Sequence, residues 1–196
     1  MSITQFLNAR GFHDFEGYSQ QVPRQVEDLI NLSRGSPMHA MEIGFNAGHS
    51  AEVFLKNNPN LTLTSFDLGD HDYVHVAKEY IDTTYPNRHT LILGDSTVTV
   101  PKYINDNPDK TFHLIFVDGG HEYVIANTDL ENCKKLANKD TIVAIDDTIY
   151  TKEWEVFYTV GPTRAWVEHL TNGLVLETNR TDYEYGRGMS WGKYVL

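Results

Sequence analysis

The sequence predicts a single α/β domain of 196 residues with a mainly parallel sheet and helices on both of its faces. Short apolar segments of strand length alternate with longer amphipathic segments from about residue 38 onward, which is the pattern of successive βαβ units. Two segments, Leu114 to Val117 and Ile142 to Ile145, are continuously apolar, as strands buried on both faces must be. We therefore expect these two segments to be central strands.

The remaining elements follow from the same patterns. Strands are predicted at about 39–45, 61–67, 90–94, 112–118, 141–146, 174–178 and 189–196, and helices at about 48–57, 70–84, 97–106, 121–138 and 162–172, with a turn-rich segment at 182–188. Residues 1–36 are predicted to form an N-terminal arm followed by a helix, because Val22, Val26 and Leu29 share one helical face. The sequence leaves open whether residues 1–20 cover a cleft or dock loosely.

Composition narrows the classes of partner. A net charge of −11 without a basic cluster argues against nucleic acid or an anionic membrane and favours a small-molecule partner. Cys133 is the only cysteine, so an internal disulfide and a thiolate metal cluster are excluded within one chain. No apolar run approaches the roughly 18 residues of a spanning helix, and Met1 to Gly11 lacks the order of a signal peptide. We expect a cytoplasmic protein, and homo-oligomerisation stays open.

A glycine loop follows the first predicted strand. It reads E-x-G-x-x-x-G-x-S from Glu42 to Ser50, and its glycines, Gly44 and Gly48, suit a tight turn and the close approach of a ligand. Nineteen residues after Gly48, the second strand ends at Asp67, which is placed to accept hydrogen bonds from ribose hydroxyls in a Rossmann-like crevice. The pattern predicts a nucleotide-like cofactor, and a tight turn without any ligand is the alternative.

Acidic residues stand at the end of every later strand of the parallel sheet. They are Asp67, Asp95 with Ser96, Asp118, and the pair Asp146 and Asp147. Each one alone is explained as a helix N-cap or a turn residue. Asp118, Asp146 and Asp147 follow adjacent central strands, so their carboxylates should converge and repel unless protons or a cation are added. Three hard oxygen ligands predict Mg²⁺, or Mn²⁺ in its place.

The glycine loop resembles motif I of the class I S-adenosylmethionine (SAM) methyltransferases, and the acids resemble those of the metal-dependent O-methyltransferases that act on catechols and macrolide sugars. The resemblance covers about residues 38–196 and implies a Rossmann-like seven-stranded sheet with an antiparallel C-terminal strand. It also implies a metal site at Asp118, Asp146 and Asp147. The final Asp-Asp pair is that of the macrolide-sugar enzymes, whereas catechol enzymes carry Asp-Asn.

The resemblance also assigns roles to single residues. Three positions after Asp118, catechol enzymes carry a lysine base and sugar enzymes a histidine; this chain has His121, which favours a sugar or another vicinal diol as acceptor. The alternative is that His121 only begins a helix. The cofactor residues implied are Glu42, Gly44, Asn46, Gly48, Ser50, Asp67, Asp95, Ser96 and Asp118.

An aromatic segment, residues 148–160, interrupts the alternation of strands and helices. It is expected either to form the wall of an acceptor pocket or to pack on the edge of the sheet. Two other functions are compatible with the fold class, a nucleotide-dependent oxidoreductase and a non-catalytic SAM- or nucleotide-binding subunit. The missing pyrophosphate glycine pattern argues against the first, and the cluster of acids argues against the second.

Overall fold

The computed structural model describes residues 1–36, 38–184 and 186–196, which fold around one seven-stranded sheet. The strands are β1 (Met38–Ile43), β2 (Leu61–Asp67), β3 (His89–Leu93), β4 (Phe112–Val117), β5 (Ala137–Asp146), β6 (Val175–Glu184) and β7 (Arg187–Tyr194). Their order across the sheet is β3-β2-β1-β4-β5-β7-β6. Strands β1 to β5 pair in parallel, and β7 runs antiparallel to both β5 and β6. The predicted fold class is confirmed.

Helices cover both faces of the sheet. They are α1 (Ile3–Asn8), α2 (Pro23–Leu32), α3 (His49–Asn57), α4 (Asp72–Thr84), α5 (Ser96–Asp106), α6 (Tyr123–Lys134) and α7 (Val160–Thr171), with 3₁₀ turns at Ser19–Gln21, Lys152–Trp154 and Phe157–Thr159. Leu114 and Phe116 of β4 pack into one apolar core, whereas Ile115 and Val117 pack into the other. Burial on both faces explains why this strand is continuously apolar. Within the described ranges, no helix has the length and apolarity needed to cross a membrane.

The topology places a crevice beside β1. The chain leaves β1 toward β2 and β3 on one side and returns to form β4 on the other, so the carboxyl ends of β1 and β4 lie at the point where the strand order reverses. Backbone bonds tie these ends together: Gly44 N donates to Phe66 O at 2.8 Å, and Asp118 N donates to Ile43 O at 2.8 Å. Residues following β1, β2, β4 and β5 therefore meet at one edge of the sheet.

The C-terminal hairpin differs from the prediction. Strand β6 extends to Glu184 and β7 begins at Arg187, so most of the segment predicted as turn-rich lies in the two strands; Tyr185 lies outside the described residues. Asp182 is held in β6 because its carboxylate accepts the backbone N–H of Tyr150 and of Thr151, at 3.2 and 2.6 Å. Tyr150 and Thr151 are about 30 residues away in sequence, so the turn-like composition of residues 182–188 gives no sign of these hydrogen bonds.

The N-terminal arm is docked, and it contains an unpredicted helix. Ile3 and Leu7 of α1 are fully buried, and Ile3 N donates to the buried carboxylate of Glu52 at 3.0 Å. The same carboxylate accepts from Tyr80 Oη at 2.7 Å and from Gln20 Nε2 at 2.8 Å, so Glu52 holds both ends of the arm. A helix of six residues shows too few apolar positions for a helical period to be recognised.

Candidate active site

A cavity of about 1160 Å³ opens at the carboxyl ends of the parallel strands. Nine of the twelve predicted site residues line it: Gly44, Asn46, Asp67, Asp95, Ser96, Asp118, His121, Asp146 and Asp147. The arm contributes its residues 16–19, and the aromatic segment contributes Phe157, Tyr158 and Val160. The predicted cofactor residues and the predicted acid cluster therefore share one cavity.

Glu42 and Ser50 lie outside the cavity wall formed by the described residues. Glu42 is fully buried and accepts hydrogen bonds from Ser50 Oγ at 2.7 Å and from Ser65 Oγ at 2.6 Å. Burial raises the pKa of Glu42 to about 7, although the two serine bonds lower it. Both carboxylate oxygens are thus engaged inside the protein, where they join β1, β2 and α3. Direct contact with a cofactor, predicted for Glu42 and Ser50, has no support in this geometry.

The two glycines of the loop are required by the protein itself. Gly44 has φ +97°, and a Cβ there would lie 1.7 Å from the carbonyl oxygen of Asp118. Gly48 has φ +74°, and its Cβ would lie 2.7 Å from Ile3 Cδ1 and 3.1 Å from Phe45 Cζ. Packing against Asp118, Ile3 and Phe45 therefore requires a glycine at both positions, and the approach of a ligand to the backbone there stays a prediction. Gly44 still lines the cavity, whereas Gly48 is not part of the described wall.

Asp67 presents its carboxylate to the cavity from the end of β2. Oδ2 accepts from Asn46 N at 2.7 Å and Oδ1 accepts from Gly69 N at 2.8 Å, so two backbone donors orient the group. A carboxylate has about four acceptor positions, and capacity remains for the hydroxyls of a ligand. The Asn46 side chain is directed elsewhere, since its Nδ2 donates to the backbone oxygens of Glu16 at 2.7 Å and Gly17 at 3.4 Å. Asn46 thereby fastens the arm over the loop.

Asp95 is both a helix cap and a cavity residue. Its Oδ1 accepts from Thr97 N at 2.8 Å and from Thr97 Oγ1 at 2.7 Å at the start of α5. These bonds lower the pKa of Asp95, which keeps it ionised. Ser96, the first residue of α5, lines the cavity beside it. The capping alternative is therefore correct for Asp95 but does not remove it from the site.

Three carboxylates converge at the ends of β4 and β5. Burial raises the pKa of Asp118 well above its usual value, and the charges of Asp146 and Asp147 raise it further. Burial and the adjacent Asp147 raise the pKa of Asp146 to about 7. Asp147 has φ +55°, a left-handed conformation that is uncommon outside glycine and is found at functional sites.

The left-handed Asp147 faces His121. His121 Nε2 lies 3.0 Å from Asp147 Oδ2, and the imidazole side chain is 48% exposed. The hydrogen bond to Asp147 raises the pKa of His121 more than burial lowers it. Helix α7 supports the loop from behind, because a Cβ at Gly161 would lie 2.1 Å from His121 O. His121 is therefore held by a carboxylate on one side and a helix on the other.

Comparison with known proteins identifies the family. A family model described as a methyltransferase domain matches residues 41–148, which span the glycine loop, Asp67, the acid cluster and His121. The chain belongs to this methyltransferase family. A search of curated protein sequences finds no match.

Solved structures share the fold of this methyltransferase. The O-methyltransferase from Bacillus cereus in complex with SAH is 16% identical, with a TM-score of 0.76, 97% of this chain covered and 88% of the other. TomG from Streptomyces achromogenes, in complex with SAM, is 16% identical with a TM-score of 0.74 and coverages of 99% and 88%. CalS11, a TDP-rhamnose 3′-O-methyltransferase, is 22% identical with a TM-score of 0.64 and coverages of 87% and 77%. The expected class I SAM-dependent methyltransferase fold is confirmed.

Two residues beside the acids of the methyltransferase were not predicted from the sequence. Gln25 of α2 is fully buried and donates from Nε2 to Asp146 Oδ2 at 2.7 Å. Arg187, the first residue of β7, lines the cavity, and its charge lowers the pKa of both Asp118 and Asp146 against the larger effect of burial. Arg187 was missed because it lies in the segment predicted as turn-rich. Gln25 was missed because a single glutamine on a helix gives no sequence signal of function.

The acid cluster supplies oxygen donors, and metal binding by it stays a prediction. Three carboxylates lie near one guanidinium, and the raised pKa values of Asp118 and Asp146 mean that a bound cation would replace protons on these groups. Asp146 Oδ1 is buried without a hydrogen-bond partner, which is costly in a native protein and typical of a ligand position. Within the described residues, no three acidic, histidine or cysteine side chains are arranged as a metal site. The carboxylate oxygens are of the donor type that Mg²⁺ and Mn²⁺ prefer.

Proposed function

We propose that this methyltransferase is a divalent-metal-dependent enzyme that moves the methyl group of SAM to a hydroxyl group of a small molecule. The observation that carries the proposal is the single cavity that joins Asp67, at the end of β2, to the acid cluster and His121, at the ends of β4 and β5. A cofactor lying between these ends has its reactive group beside the acids. Fold similarity to structures that contain SAM or SAH supports this placement.

The proposed cofactor residues lie at successive strand ends along the cavity, and each is proposed to contact a different part of SAM. Asp67 is oriented by backbone donors to accept the ribose hydroxyls, and Asp95 and Ser96 lie at the next strand end, where the adenine would lie. Gly44 and the backbone of the loop lie beside Asp118, near the amino-acid end. Bound SAM supplies an activated methyl group, and the protein has to align the acceptor oxygen with it.

His121 is the proposed general base. If Nε2–H donates to Asp147, the other ring nitrogen keeps its lone pair and can take the proton of the acceptor hydroxyl. Asp147 fixes the orientation and the tautomer of the ring, as carboxylates do for catalytic histidines elsewhere. Asp147 also raises the pKa of His121, so the bond strengthens His121 as a base.

Asp118, Asp146 and Asp147 are the residues that would hold the divalent cation. Such a cation would lower the pKa of the acceptor hydroxyl and fix its direction. Its positive charge would also favour the neutral form of His121, which is the form that accepts a proton. Asp147 would then serve both the cation and His121, through different oxygens.

The acceptor is proposed to be a sugar or another vicinal diol, in preference to a catechol. The histidine at position 121 supports this choice, and one structural neighbour, CalS11, is a TDP-rhamnose 3′-O-methyltransferase. The aromatic segment supplies an apolar wall for the acceptor: Phe157 is 89% exposed at the cavity mouth, and Tyr158 lies 5.5 Å from the His121 ring. Tyr150 packs against an apolar core, whereas Phe157 and Tyr158 line the cavity, so the acceptor-wall interpretation is proposed for these two residues only.

SAM consumption against a panel of acceptors tests the proposed function. The panel contains sugars, nucleotide sugars and catechols, each assayed with Mg²⁺ and with EDTA. We expect turnover of a diol that EDTA abolishes and Mg²⁺ or Mn²⁺ restores. Full turnover in EDTA after exhaustive dialysis would contradict the proposed metal dependence. Binding of SAM without turnover of any acceptor would favour a non-catalytic subunit.

Asp67→Ala should weaken SAM binding about 10- to 100-fold, because charge-assisted hydrogen bonds to ribose contribute about 1.5 to 3 kcal/mol each before compensation. Calorimetric titration with SAM measures the change. Asp72→Ala is the matched control, since it removes a carboxylate from the first turn of α4, outside the described cavity wall. Equal SAM affinity in the wild type and Asp67→Ala would show that Asp67 does not hold the ribose.

The proposals about the class of acceptor and the cellular location rest on the composition of the chain. The charge of −11 supports a small-molecule acceptor over nucleic acid or an anionic membrane, and the single cysteine is compatible with the reducing cytoplasm. We retain a cytoplasmic location as a proposal, and homo-oligomerisation stays open.

A further inference from the structure

One buried carboxamide lies between two charged residues of the site. Gln25 Nε2 donates to Asp146 Oδ2 at 2.7 Å, and Gln25 Oε1 accepts from Arg187 Nη2 at 3.1 Å. A carboxylate accepts and a guanidinium donates, so both neighbours require the same orientation of the amide. Gln25 is fully buried, and it connects α2 to residues 121 and 162 positions away in sequence.

The two charged groups are neighbours that do not pair. Asp146 Oδ1 and Arg187 Nε are both buried without a hydrogen-bond partner. Arg187 is close enough for its charge to lower the pKa of Asp146, yet no ion pair within 4.0 Å joins the two among the described residues. Arginine and a carboxylate in contact normally form a strong bidentate pair, and leaving both partly unsatisfied is unfavourable. The Gln25 amide forms a hydrogen bond with each of the two groups instead.

We propose that Gln25 is a positioning residue that keeps Arg187 from pairing with Asp146 and so leaves Asp146 Oδ1 available to the acid cluster. The inference rests on the proposed function, because the free oxygen matters only if the cluster binds a cation or an acceptor. A direct pair would engage both oxygens of Asp146 with the guanidinium. The separated arrangement keeps the arginine charge nearby while one oxygen remains unpaired.

The test replaces the amide with an apolar side chain of similar size. In a crystal structure of Gln25→Leu, we expect Arg187 to move onto Asp146 as an ion pair within 4.0 Å. Binding of Mn²⁺, measured by electron paramagnetic resonance, should weaken about 10- to 100-fold, the range for a lost supporting contact at a metal site. Gln25→Met, which is unbranched and adapts to irregular cores, provides a second variant if the leucine protein does not fold.

A double-mutant cycle separates this role from simple packing. In the Arg187→Met background, Gln25→Leu should change Mn²⁺ affinity much less, since no guanidinium remains to occupy Asp146. Gln21→Leu is the matched control. Gln21 accepts from Arg187 Nη1 at 3.4 Å but forms no hydrogen bond with Asp146 among the described residues, so the change should leave Mn²⁺ affinity unchanged.

Two results would overturn the inference. One is a Gln25→Leu structure in which Arg187 and Asp146 stay apart, and the other is an equal loss of Mn²⁺ affinity with and without Arg187. If the wild type binds no Mn²⁺ at all, the metal clause of the proposed function fails, and the crystal structure of the variant still decides whether Gln25 separates the pair.

Discussion

His121→Ala should lower kcat by about 10²- to 10⁴-fold, the range for a lost general base, while the affinities for SAM and for a divalent cation stay close to those of the wild type. The imidazole is half exposed, so its loss leaves no buried cavity. In the wild type, kcat should rise with pH as His121 loses its proton, at a pH set by the bond to Asp147, which raises the pKa of the histidine, and by the bound cation, which would lower it. This inflection should be absent in the variant, whose residual activity should rise with hydroxide or with ionisation of the acceptor.

His75→Ala is the matched control for the loss of a histidine. His75 is an exposed residue of α4 outside the described cavity wall, and its removal should leave kcat and the pH profile unchanged. An undiminished kcat in His121→Ala would remove His121 from the mechanism while leaving the fold and the cofactor site in place.

Gly44→Ala should reduce the free energy of unfolding by about 2 to 5 kcal/mol. The added Cβ would lie 1.7 Å from Asp118 O, and the left-handed backbone adds about 1 to 2 kcal/mol of strain for any residue with a Cβ. Relief would require β1 and β4 to separate at the point where Asp118 N donates to Ile43 O. Chemical denaturation of the protein without SAM measures the loss.

Gly173→Ala provides the comparison for Gly44→Ala. Gly173 also has a positive φ, +67°, but nothing lies within 4 Å of a Cβ at this position, so only the backbone strain should remain. If both variants lose the same stability without SAM and only Gly44→Ala loses SAM affinity, the glycine serves the ligand after all, as the sequence suggested.

The parallel sheet was predictable because its signals are local. Leu114 to Val117 and Ile142 to Ile145 are apolar at every position, and the structure places them in adjacent strands, in register from Leu114 with Ile142 to Val117 with Ile145. The acids that follow these strands could be assigned to one edge of the sheet because parallel strands end together. Asp118, Asp146 and Asp147 do meet there.

Other parts of the site were unpredictable because they depend on distant contacts. The role of Gln25 follows only from its hydrogen bonds with Asp146 and Arg187. Asn46 likewise holds the arm through hydrogen bonds to the backbone oxygens of residues 16 and 17. Nothing in a single sequence indicates these pairings. The packing requirement at Gly44 and Gly48 was missed for the same reason, since the atoms that exclude a side chain there belong to Asp118, Ile3 and Phe45.

The most direct test of the account is the titration of Mn²⁺ into the wild type, Asp147→Asn and Asp147→Ala, followed by electron paramagnetic resonance. If the acid cluster holds the cation, the wild type should bind one Mn²⁺ per chain, Asp147→Asn should bind it more weakly through its remaining oxygen ligand, and Asp147→Ala should lose the site while SAM affinity is retained. Identical Mn²⁺ binding in all three proteins would contradict the assignment of Asp147 as a ligand, and with it the proposed metal-dependent transfer.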